Sequence, residues 1–109
     1  MAVRPDNVDF YLDTLIGTWT GAVDDYIAEW DTYDGDEKFI HIEDFGSTTA
    51  RQADLDEYAR THRLTPAQAG RYRELLDLIA SKHEKMSAMG FRLWSLATPR
   101  VHGRARRVA

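Results

Sequence analysis

VDFYLDTLIGTWTGAVDDYIAEW, residues 8–30, carries more apolar bulk than any other stretch of the chain. Its large apolar residues are Val8, Leu12, Leu15, Ile16, Trp19, Val23, Tyr26, Ile27 and Trp30, spaced in steps of three, four and one. That rhythm places them on one helical face, with Asp9, Asp13, Thr20, Asp24, Asp25 and Glu29 largely opposite. The spacing predicts a single helix over Val8–Trp30, against which the other elements pack. Two glycines, Gly17 and Gly21, stand four apart within it. Each costs about 1 kcal/mol relative to alanine in a helix interior, so a neighbouring helix is expected to approach closely along that edge. A rival reading takes Leu15-Ile16-Gly17-Thr18-Trp19-Thr20-Gly21 as the Gly-x-Trp strand that opens lipocalin-like barrels. It requires eight or more strands, whereas the second half of the chain reads as helix.

Working outward, Asp6 or Asn7 is placed to accept the first free N–H groups of that helix. Asp34-Gly35-Asp36 reads as its stop. Lys38 to Phe45 is short, apolar and β-branched, so residues 38–45 are expected to be extended. A lone strand would need a partner across a homodimer or on another protein. Gly46-Ser47-Thr48-Thr49 breaks this segment, and a second helix follows over about Ala50–His62, turning Leu55, Tyr58, Ala59 and His62 inward. Thr65-Pro66-Ala67-Gln68 combines capping-box spacing with proline at the first helical position. It starts a third helix running to about Met89, with Ala69, Tyr72, Leu76, Ile79, His83 and Met86 along one face. Gly90 stops it, and Phe91, Leu93, Trp94 and Leu96 fold back onto the core. The expected architecture is a mainly α, three-helix domain over residues 1–98 with one short extended segment. A flexible basic tail follows over residues 99–109.

With 109 residues and an apolar share of 43%, one domain with one core is expected. No run approaches the roughly 18 apolar residues of a membrane span, and the opening Met-Ala-Val-Arg-Pro-Asp has no apolar h-region of a secretory signal. The chain has no cysteine, which excludes disulfides, a thiol nucleophile and thiolate metal sites. A cytoplasmic protein is the expectation. The net charge of −4 hides a polarised chain: residues 1–57 hold 15 acids and 3 bases, and residues 58–109 hold 3 acids and 11 bases. Either the halves neutralise each other, or they present two charged surfaces to different partners.

The motifs of catalysis fail one by one. His83-Glu84 begins a zincin pattern, but Ser87 stands where the second histidine is required. Asp34-Gly35-Asp36 lacks the spacing of a calcium loop. There is no phosphate-binding glycine loop and no nucleophile elbow. A non-enzyme with no cofactor and no metal is therefore expected. Leu55 to Leu76 echoes a helix-turn-helix, in which Gln68, Arg71 and Arg73 would face a groove and its phosphates. His62 and Arg63 depart from that pattern at the apolar and glycine positions. The tail's Arg100, Arg104, Arg106 and Arg107 add positive charge without interleaved aromatic residues for base stacking.

Asp24-Asp25-Tyr26-Ile27-Ala28-Glu29-Trp30, Ile40-His41-Ile42-Glu43-Asp44-Phe45-Gly46 and Leu55-Asp56-Glu57-Tyr58 together resemble a class of small phage and plasmid proteins. Those carry an Asp-Tyr-Ile-x-x-Trp-His helix, an apolar-His-Glu-Phe-Leu-Gly link and a Glu-Tyr helix. The resemblance covers about a third of the chain; it departs at Asp31, where that class has His, and at the Ser47–Asp54 insertion. It implies a mobile-element or bacterial accessory protein and brings no catalytic residues. The expected function is a non-catalytic interaction module of the antitoxin, immunity or anti-defence kind. It docks on a protein with a basic surface through Asp9, Asp13, Asp24, Asp25, Glu29, Asp34 and Asp36. The alternatives are a helix-turn-helix DNA-binding regulator, and a phage or ribonucleoprotein subunit whose Arg tail contacts nucleic acid.

Overall fold

The structure is a computed structural model that describes residues 3–93 and residue 96. It is mainly α-helical. Helix α1 spans Val8–Thr20, α2 spans Ala22–Glu29, α3 spans Gly35–Thr61 and α4 spans Pro66–Ala88, with one 3-10 turn over Trp30–Thr32. Because α1 and α2 form one bent rod, three helical arms result. Expectations about Trp94, the limit at residue 98 and the tail with Arg100, Arg104, Arg106 and Arg107 lie outside the described residues.

The first rod bends at Gly21, whose φ of −113° and ψ of −81° leave the helical basin. The Thr18 and Thr20 hydroxyls donate to the carbonyls of Thr14 at 3.0 Å and Ile16 at 2.8 Å, a pattern that loosens and bends helices. The two glycines do not serve a close helix approach. A Cβ at Gly17 would meet nothing within 4 Å, and one at Gly21 would meet its own rod, the Gly17 carbonyl, at 3.0 Å. At the N-terminus Asn7 takes the cap position, but its side-chain oxygen accepts from the Arg4 N–H at 2.7 Å.

The expected extended segment over 38–45 is helix. The Asp34 carboxylate accepts from the Glu37 N–H at 2.8 Å while the Asp34 N–H donates to Glu37 Oε1 at 2.9 Å. This capping box satisfies two free donors and starts α3 where a stop was expected. Helical steps then turn Ile42, Phe45, Thr49 and Gln52 inward. Gly46 does not interrupt the helix, and the hydroxyls of Ser47 and Thr49 donate back to Asp44 and Gly46 carbonyls at 3.1 and 2.9 Å instead of capping a new one. The helix expected over Ala50–His62 is thus the second half of α3. The Thr65 capping box does form: Thr65 Oγ1 accepts from the Gln68 N–H at 3.1 Å. Gly90, with φ of +107°, ends the last arm in the left-handed conformation that glycine tolerates.

Helix α1 is the centre of the molecule and packs against α2, α3 and α4. Val8, Leu12, Leu15, Trp19 and Val23 of the first rod are all fully buried, with Leu55 of α3 and Leu75, Ile79 and Met86 of α4. Phe91, Leu93 and Leu96 do return to the core. The Phe91 ring lies 5.4 Å from Tyr26, 5.3 Å from Trp30 and 5.2 Å from Phe45, which clamps α2, the 3-10 turn and α3 together.

Candidate functional site

Helix α4 lays its polar edge along the acidic side of the first rod. Gln68 donates to Asp9 at 3.4 Å, Arg71 forms an ion pair with Asp13, and the Lys82 ammonium reaches Asp24 at 2.7 Å. Lys82 also donates to the Trp19 carbonyl at 2.5 Å, beside the bend at Gly21. The polarised halves of the chain therefore neutralise each other along this seam. Asp13 raises the pKa of Arg71 further, principally by accepting its hydrogen bond.

The expected acidic docking residues consequently divide. Asp9, Asp13 and Asp24 face partners on α4. Asp34 is occupied in the capping box. Glu29 accepts from the Tyr33 hydroxyl at 3.0 Å; burial first, and this hydrogen bond second, raise the Tyr33 pKa. Asp25, in the first turn of α2, and Asp31, in the 3-10 turn, are exposed, and Asp36 is exposed at the start of α3. Nearby Lys38 turns its ammonium over the Trp30 ring, 5.7 Å from its centroid. Behind this acidic corner His41 lies between Tyr26 and Tyr33, with ring centroids 5.0 and 4.7 Å away. Burial, and then the charge of Asp44, raises the Tyr26 pKa.

The residues expected to read DNA are not brought together on an open face. Gln68 and Arg71 contact the carboxylates of α1, so a phosphate approaching them meets Asp9 and Asp13. Arg73 points elsewhere, 3.9 Å from Asp77. His62, expected on the inner face, is exposed and stacks on Tyr58 with centroids 4.2 Å apart.

A hollow of about 440 Å³ opens between α3 and α4, lined by Ala53, Asp56, Glu57, Ala59, Arg60, Tyr72 and Leu96. In it the Tyr72 hydroxyl donates to Asp56 Oδ1 at 2.6 Å, and the Gln52 amide donates to the same oxygen at 3.1 Å. Burial first, and Asp56 second, push the Tyr72 pKa far above its ordinary 10.0. Gln52 was not expected in the core, and it is fully buried. Among the described residues its Oε1 and the Trp19 indole N–H have no hydrogen-bond partner. No group of three His, Cys, Asp or Glu is placed to hold a metal ion among the described residues. No helix there is long and apolar enough to cross a membrane.

Comparison with protein-family models, with curated proteins and with solved structures finds no match to this chain.

Proposed function

We propose that the protein is a small non-catalytic interaction module, an accessory protein of the antitoxin, immunity or anti-defence kind, that docks on a basic protein surface. The observation that carries this reading is the acidic corner formed by Asp25, Glu29 and Asp31, which the cations of α4 leave uncompensated. The corner lies between the Phe91 clamp on one side and the Asp34 capping box on the other. Pre-organised charge of one sign speeds encounter with an opposite surface and selects against like-charged ones.

The test is co-purification with the full chain, followed by mass spectrometry, at rising salt. Wild-type protein is expected to retain a partner with a basic surface, less tightly as salt increases. The triple variant Asp25→Asn, Glu29→Gln, Asp31→Asn is expected to lose it. Equal retention by the two proteins would sink the proposal. The DNA-binding alternative has less support, because α4 turns Gln68 and Arg71 toward carboxylates.

A further inference from the structure

The outward face of α3 carries the two most exposed large aliphatic or aromatic side chains of that helix, Phe39 at 63% and Ile40 at 53%. One stripe of its exposed residues runs Asp36, Phe39, Ile40, Glu43, Gly46, Ser47, Ala50, at steps of 3, 1, 3, 3, 1 and 3, with exposed Glu37 and Asp44 flanking it. That series is a palindrome about Glu43. Its first half is bulky and its second half is small. Added at Gly46, a Cβ would meet nothing within 4 Å.

We infer that this face binds a second copy of the same chain, with the two α3 helices antiparallel and a two-fold axis at Glu43. A two-fold contact requires a patch complementary to itself. Antiparallel pairing about Glu43 sets Phe39 opposite Ser47 of the other copy, Ile40 opposite Gly46, and Asp36 opposite Ala50. Bulk meets a gap at each step, so the two backbones approach closely and Phe39 and Ile40 leave water. Arg51, exposed and one residue beyond Ala50, comes against Asp36 of the opposing copy and gives a complementary pair at each end. Glu43, facing its own copy on the axis, opposes association, as do the exposed Glu37 and Asp44 beside it. This surface is separate from the Asp25–Glu29–Asp31 corner, so either proposal can fail alone.

Sedimentation of the full chain from about 1 µM to about 0.5 mM is expected to show a reversible monomer–dimer equilibrium. Phe39→Glu and Gly46→Leu are each expected to weaken it at least tenfold, with helical melting by circular dichroism verifying the fold; Glu43→Gln is expected to tighten it. Asp36→Arg and Arg51→Asp each weaken it, and the two combined restore it. Those positions are about 22 Å apart along one helix, so rescue requires contact between copies. A chain that remains monomeric throughout, or a dimer unaffected by Gly46→Leu and without rescue, overturns the inference.

Discussion

At the scale of single residues, the fold rests on a few polar side chains that complete what the backbone leaves open. Lys82 is the clearest: one half-buried ammonium serves both the Trp19 carbonyl and the Asp24 carboxylate beside the bend. Lys82→Met is expected to lower stability by about 1–2 kcal/mol, since charge-assisted bonds to a partly shielded group exceed exposed ion pairs in worth. Chemical denaturation at neutral pH measures this. Asp34→Ala removes the capping box and is expected to cost about 1 kcal/mol, whereas Asp34→Ser retains most of it. Tyr72 supplies a pH dependence. Its folded pKa lies above its unfolded one, so its contribution is complete below about pH 10 and is lost as pH rises beyond that. The stability gap between wild type and Tyr72→Phe should therefore narrow from pH 8 to pH 11, as read from urea midpoints. A constant gap would separate the Tyr72–Asp56 bond from the titration.

At the scale of elements, the Thr65 start, the Gly90 stop and the apolar stripe of residues 8–30 were legible because each rests on local chemistry. The start of α3 was not. Asp34-Gly35-Asp36-Glu37 holds both a glycine that suits a helix end and an Asp-x-x-Glu that suits a helix beginning. Reading Gly35 as the stop hid the capping box, and the β-branched Ile40 and Ile42 then looked like strand. Yet Ile42, Phe45, Thr49 and Gln52 keep helical steps through Gly46, and tertiary burial outweighed propensity. The acidic site was half legible for a related reason: the seam to α4 depends on which helices become neighbours, a non-local fact that charge counts do not contain. The two glycines of the first rod yield opposite expectations. Gly17→Ala should stabilise by about 0.5–1 kcal/mol because its Cβ enters open space within a helix. Gly21→Ala should not, because its Cβ meets the Gly17 carbonyl at 3.0 Å. Thermal melts of the two variants test the contrast.

For the whole molecule, the decisive arrangement is that a central α1 supports two arms and the segment after α4 closes over them. Phe91 inserts one ring among Tyr26, Trp30 and Phe45, so its truncation should cost more than any surface change. Phe91→Ala is expected to destabilise by about 3–5 kcal/mol, with altered tryptophan fluorescence as Trp30 gains water. The clamp also sets a hierarchy of openings. Because Phe91 follows α4 and touches α2, the 3-10 turn and α3, withdrawing it loosens those contacts while α1 and α4 keep their own packing. Amide hydrogens around Trp30 should then exchange through a partial opening of lower free energy than global unfolding, and those in the middle of α1 only through the global event. The protein would thus come apart from the Phe91 clamp inward, with α1 and α4 the last elements to part.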